Sequence, residues 1–326
     1  VPEDGTAPPA APVVLAEVVR SGFVEGRHRG SFVVLDADGS QLLGRGDVTS
    51  PVFPRSCNKL MQATGLVELG YAERGELLAL AAASHAGSPL HVEGVHRILA
   101  SAGLDEHALR TPADWPYDEG ERDALLRVGG VPDPVLMNCS GKHAAMLAVC
   151  VARGWPLDDY RAADHPLQQH LATTLERLTG ERVAATGVDG CGAPVSAVSL
   201  TGVARAFSAA VQAAPGTPER AVADAMRAHP VHVAGRGRDV TRLMQGVPGL
   251  LAKDGAEGVF AVALADGRAL ALKVDDGAAR PRPLVVSALL RHLGVRAEVL
   301  DEYAEEPLLG GGTQVGALRT PADLLP

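Results

Sequence analysis

A chain of 326 residues, 46% hydrophobic and 21% charged, can bury a sizeable core and lies far from the composition of a disordered protein. Its formal net charge of −9, without any concentrated Lys/Arg stripe, argues against nucleic-acid and anionic-membrane partners and leaves a small-molecule substrate as the expectation. The longest apolar runs, such as Leu77 to Ala83, fall well short of the roughly 20 residues a spanning helix needs.

The N-terminal "VPEDGTAPPAAP" is acidic and proline-rich and has neither a basic nor an apolar signal region. It reads as a flexible tail over residues 1–13, and a cytoplasmic protein is expected. "SFVVLDADGSQLLG" then pairs two apolar runs across an Asp38-Gly39 turn, a hairpin signal. Helical periodicities follow over Lys59–Leu69, Val92–Ala102, Ala144–Ala152, Pro166–Leu178, Val203–Ala213 and Pro218–Ala228. A second hairpin, with Asp266-Gly267 at its turn, runs from Gly258 to Val274, and a last helix is expected over Pro283–Leu293.

Strands near both chain ends with helices between them predict an α/β fold. Its antiparallel sheet comes from the N- and C-terminal segments, and a largely helical insert packs on it. No repeat and no Pro/Gly/Ser linker divides residues 14–326, so a single domain is expected, with a cleft where insert meets sheet. Four widely spaced cysteines, Cys57, Cys139, Cys150 and Cys191, do not form a disulfide framework and read as reduced thiols or ligands.

The stretch "PVFPRSCNKLMQA" holds Ser56 and Lys59 three positions apart at the start of a helix, where they share a face. A serine hydroxyl becomes a nucleophile when a base takes its proton, and lysine is such a base once desolvation or a neighbouring cation lowers its pKa. Leu60 and Met61 are placed to exclude water, and Arg55 adds a second positive charge. The plainer alternative is that Ser56 caps a helix and Lys59 points to solvent. The Ser-Asp-Asn and Lys-Thr-Gly partners of class A β-lactamases are missing, the nearest substitute being Lys253-Asp254-Gly255 at an expected sheet edge.

Two further stretches are rich in polar chemistry. "MNCSGKHAAML" places Asn138, Cys139, Lys142 and His143 at a turn before a helix, where free backbone N–H groups suit an anion such as a substrate carboxylate. It is not a phosphate loop, because the leading Gly and the Ser/Thr after Lys142 are absent. "GVDGCGAP" sets Asp189 and Cys191 in a glycine-rich turn. Cys139 and Cys191 could give zinc two thiolates, with His143 the natural third ligand by type and Lys142 an unusual one, binding only as the neutral amine. The four-ligand spacing of structural zinc sites is lacking, so reduced thiols stay open as the other reading.

"RHRGSFVVLDADG", "FPRSCNK", "SHAGSPLHVEGV", "NCSGKHAAML", "DHPLQ", "DGCGAP" and "KDGAEGVFAVAL" occur in the order seen in the rhizobial-type, or class 3, L-asparaginases of the asparaginase II family. The chain resembles that family from about Val14 to its C-terminus. The resemblance implies a fold like that of serine β-lactamases, penicillin-binding proteins and glutaminases. It implies Ser56 as nucleophile with Lys59 as base, a second Ser84–Lys253 tandem, and zinc held by Cys139, Cys191, Lys142 and water. Arg55, Asn138, His143 and Asp189 would serve the substrate, L-asparagine, in a homodimer. Two departures stand out: "TPADWP" at Thr111–Pro116 replaces a Cys-Gly-x-His stretch, and Cys57 sits inside the tetrad. Within the same chemistry the alternatives are glutamine, a D-amino-acid amide or a β-lactam-like substrate. Outside it, the alternative is a zinc- or amino-acid-binding homologue without turnover.

Overall fold

A computed structural model of the chain describes residues 10–326. Three strands open it: β1 (Val13–Arg20), β2 (Phe23–Leu35) and β3 (Gln41–Arg45). The helical insert holds α1 (Lys59–Glu68), α2 (Gly75–Ala81), α3 (Pro89–Ser101), α4 (Glu119–Arg127), α5 (Ser140–Arg153) and α6 (Pro166–Thr179). A small hairpin, β4 (Ala185–Val188) with β5 (Pro194–Ala197), precedes α7 (Leu200–Gln212), α8 (Pro218–Ala228), α9 (Pro230–Val233) and α10 (Asp239–Gly246). The chain then completes the sheet with β6 (Leu251–Gly255), β7 (Val259–Ala263) and β8 (Ala269–Val274). After α11 (Pro281–His292) and α12 (Glu298–Glu302) come β9 (Glu305–Gly310) and β10 (Thr313–Arg319).

The fold is α/β, and its main sheet is built from both chain ends. The strand order is β6-β7-β8-β2-β1-β10-β9, with β3 also paired to β2, and every pairing is antiparallel. Both predicted hairpins are present, as β2–β3 and β7–β8. Consecutive residues Phe32–Leu35 and Val259–Ala263 are all buried, which requires cover on both sheet faces. The cover comes from α7, packed on β2, β7 and β8, and from α11, packed on β1, β7 and β8.

Within the insert, α1 is buried without a break from Lys59 to Leu66, held among α5, α6 and α8. A helix buried all round lies in a core. This placement takes Lys59 out of water. β6 is the edge strand on the side facing the insert, and the turn before α1 packs against it.

The sequence reading missed β1, β9, β10 and the β4–β5 hairpin. It also missed α2, α4, α9, α10 and α12, which are either short or only weakly periodic. The first nine residues of the expected tail lie outside the described residues, while Val13 already opens β1. Among the described residues, no helix is long and apolar enough to cross a membrane.

Candidate active site

The site begins at a strained turn. Residues Arg55–Asn58 form a single 3₁₀ turn running into α1, and Arg55 takes a left-handed φ of 50°. A side chain with a Cβ persists there when its surroundings hold it, and such residues gather at functional sites. The Arg55 guanidinium is fixed by two hydrogen bonds to Asp189 Oδ1, at 2.9 and 2.7 Å, and the Cys57 N–H is donated to Pro54 O at 3.1 Å. The Lys59 N–H bonds to Ser56 O, so Ser56 and Lys59 stand three residues apart on a tight turn whose i and i+3 side chains stack.

Lys59 is wholly buried, and Nζ donates to Ala83 O at 2.5 Å and to Ser84 Oγ at 2.9 Å. Ser56 is not among its hydrogen-bond partners. Burial pulls the Lys59 amine below the ordinary lysine range; the nearby Cys139 thiol opposes this, and the Lys253 and Lys142 cations reinforce it. The second tandem differs from expectation. Lys253 Nζ donates to Asp254 O at 2.8 Å and Asp254 Oδ1 at 2.5 Å, so Ser84 is bonded to Lys59 instead. The reason is geometric: Lys253 and Asp254 are neighbours on the buried edge strand, where the carboxylate is the nearest counter-charge.

Ser56 and Ser84 open together onto a cleft of about 230 Å³ between insert and sheet, as the element order implied. Asn138, Tyr117, Arg238 and Arg282 also line it, together with Asp254, Gly255 and Glu257 from the end of β6 and its turn. Gly255 is required for the close approach, because a Cβ there would meet Pro54 O at 2.6 Å. Gly255→Val should therefore push β6 away from the Ser56 turn and abolish most activity. Comparing turnover with the far-UV spectrum of the variant checks this, and unchanged turnover would show that the approach is dispensable.

Behind Lys59 lies a second polar cluster. The Lys142 Nζ stands 3.3 Å from Cys191 Sγ, and the Cys139 and Cys191 thiols are within hydrogen-bond reach of one another. All three side chains are buried. The Cys139 hydrogen bond holds the Cys191 thiol far below its ordinary value; burial opposes this and the Lys142 charge assists it. The same contact, together with burial, pushes the Cys139 thiol up. His143 Nδ1 bonds the Tyr160 hydroxyl at 2.6 Å, burial lowers this imidazole to about 4, and its Nε2 is buried without a partner.

Among the described residues, no three His, Cys, Asp or Glu side chains gather as a metal group. The convergent set is instead two thiols and an amine beside an orphaned imidazole nitrogen, and that donor set fits zinc once the metal displaces the Lys142 proton.

Of the expected substrate residues, Asn138 lines the cleft and accepts a 3.0 Å bond from the Cys139 thiol. Asp189 is not among the cleft-lining residues, being engaged by Arg55, and His143 lies behind the wall in α5. The sequence reading missed Tyr117, Arg238, Asp254 and Arg282. Asp254 sits inside the Lys-Asp-Gly stretch already singled out, and Arg238 is preceded by the "GRG" turn that leads into α10.

Comparison with known proteins gives one family. The model of L-asparaginase II matches residues 16–320. A search of curated proteins finds no match. Among solved structures, the chain is similar to a β-lactamase from Mycobacterium bovis, with 13% identity and a TM-score of 0.46, covering 82% of this chain and 95% of that one. It is similar to Mglu in its native form, with 14% identity and a TM-score of 0.48, covering 82% of this chain and 65% of that one. A Bacillus glutaminase is 12% identical with a TM-score of 0.44, covering 81% and 89%. With the family match spanning nearly the whole chain, this protein belongs to the L-asparaginase II family of amidohydrolases.

Proposed function

We propose that the chain hydrolyses the side-chain amide of L-asparagine to L-aspartate and ammonia through an acyl-enzyme formed on Ser56, with Lys59 as the base. The observation that carries this reading is the environment of Lys59. A neutral amine has two N–H bonds and one lone pair. Ala83 O and Ser84 Oγ accept the two N–H bonds, which leaves the lone pair for the Ser56 proton one turn away.

In the first half-reaction Ser56 Oγ bonds to the amide carbon, the carbonyl electron pair moves to oxygen, and Lys59 takes the hydroxyl proton. Collapse breaks the C–N bond. The departing nitrogen takes that proton through Ser84 Oγ, which Lys59 already contacts. Water then adds to the ester with Lys59 again the base, releasing L-aspartate and restoring Ser56. The backbone N–H of Ser56 and one from the edge strand beside Gly255 are the candidate oxyanion donors, each worth about 3 to 4 kcal/mol in comparable enzymes.

Zinc, where bound, would be held by Cys139, Cys191 and Lys142 and would supply a fixed positive charge behind Lys59, favouring the neutral form of that amine. Elemental analysis of Cys139→Ser should show zinc lost relative to wild type, and full retention would contradict this ligation.

Ammonia release from a panel of L-asparagine, L-glutamine, D-asparagine and a β-lactam, run with and without a chelator, tests the whole reading. L-asparagine should lead the panel by kcat/KM. A preference for any other member would replace the substrate, and no turnover at all would favour a binding protein.

A further inference from the structure

The charge gathered beside the cleft exceeds what amide hydrolysis requires. Asp254, itself buried, takes Lys253 at 2.5 Å, Arg238 at 2.8 Å and Arg282 at 3.8 Å. Asp239 adds a second carboxylate, 3.7 Å from Arg282. Three cations thus face two carboxylates, one of which is shared among all three. Glu257 also lines the cleft, but its side chain is 65% exposed at the rim and its nearest cation is Arg55 at 3.8 Å.

Arg238 is the member of this group with unused capacity. Its side chain is 14% exposed, Nη2 is spent on Asp254 Oδ2, and the guanidinium lies 4.3 Å from the centre of the Tyr117 ring. Its Nη1 is buried and has no partner. Folded proteins rarely leave a buried guanidinium N–H unmatched, because the lost hydration is not returned. Here the orphan belongs to a residue lining the cleft that holds Ser56. What it lacks is an acceptor, and an anion is the acceptor that matches a desolvated guanidinium best.

Resting on the amidase reading above, we infer that Arg238 receives the free α-carboxylate of the substrate on its guanidinium, whose hydrogen-bonding capacity Asp254 only partly uses, making it the residue that selects amino acids over carboxyl-blocked amides. The cleft then takes a small amino-acid amide by its two ends, the carboxylate at Arg238 and the side-chain amide at Ser56. Peptide-bound asparagine is rejected, since an amide in place of the carboxylate carries no charge to match the guanidinium and brings N–H donors against another donor.

The test compares L-asparagine with its α-carboxamide, L-asparagine amide, in wild type, Arg238→Gln and Arg238→Lys. Wild type should prefer the free acid by about 10²-fold or more in kcat/KM. Arg238→Gln should lose that preference through a higher KM for L-asparagine, with the α-carboxamide little affected, and Arg238→Lys should regain part of it. Asp254 keeps Lys253 and Arg282 in these variants, so folding should survive and is checked by thermal melting. Equal loss on both substrates, or unchanged preference, would overturn the assignment.

A second measurement separates this from the reaction itself: calorimetric binding of L-aspartate to wild type and to Arg238→Gln. Weaker binding in the variant by about 30-fold supports the carboxylate site even if wild type fails to hydrolyse L-asparagine. Equal binding removes the site even if hydrolysis is confirmed.

Discussion

Ser56→Ala and Lys59→Met should each lower ammonia release from L-asparagine by about 10³-fold or more, and the double variant should be little worse than either, because a nucleophile and its base act as a unit. Methionine is chosen at position 59 because it fills the buried space of the lysine stem without a charge. Thermal melting separates lost chemistry from lost fold. The pH profile supplies a second readout. The base must be neutral, and burial lowers the Lys59 pKa, so activity should rise with pH along a limb lying below the value near 10.4 of a free lysine. The residual activity of Lys59→Met should lack that limb. Turnover within tenfold of wild type in either single variant would remove that residue from the reaction.

The second large effect is on stability, at Asp254. This buried carboxylate is the shared counter-charge of Lys253, Arg238 and Arg282, of which Lys253 is fully buried and Arg282 nearly so. Removing one partner of a buried ion pair strands the other charge, at a cost of about 3–5 kcal/mol. Asp254→Ala should therefore lower the unfolding free energy measured in urea by about that amount, with Asp254→Asn intermediate because it keeps hydrogen-bonding capacity. A loss under about 1 kcal/mol would mean that the cations find other partners.

The acid dependence has a definite sign. Burial alone would raise the Asp254 pKa, but Lys253, Arg238 and Arg282 hold it well below the usual carboxylate range. The unfolded chain then binds this proton more readily than the folded one. The contribution is complete above the ordinary carboxylate value near 3.9 and is lost as pH falls below it toward the folded pKa. Asp254→Asn should flatten that part of the stability profile.

Much of the architecture can be read locally. The second Asp-Gly hairpin and the helices over residues 59–69, 166–178 and 218–228 stand within a residue or two of their predicted bounds, because each is specified by periodicity and turn chemistry within one short window; the first hairpin has its turn as predicted, but β2 starts eight residues earlier, at Phe23. The strands β1, β9 and β10 were missed. β1 alternates only partly between half-buried and buried positions, β9 is mostly exposed and β10 partly so, and their pairing rather than their pattern defines them. Within the site, Ser56, Lys59, Ser84, Cys139, Lys142 and Cys191 were all singled out in sequence; the fold brings Ser56 and Ser84 to the cleft, Lys59 to Ser84 and Lys142 to Cys191 behind them.

What the sequence determined by itself is the chemical inventory and its local mounting: a serine and a lysine one turn apart, a lysine followed by an aspartate, and thiols in tight turns. Only the tertiary structure decided which groups meet. Lys59 is bonded to Ser84, 25 positions away, because α1 is enclosed on all sides and the buried amine must take whatever acceptors its neighbours offer. Arg238 reaches Asp254, 16 positions on, because α10 starts beside the edge strand. Such partners are chosen by packing and by the cost of burying an unmatched charge, and neither is encoded in the spacing along the chain.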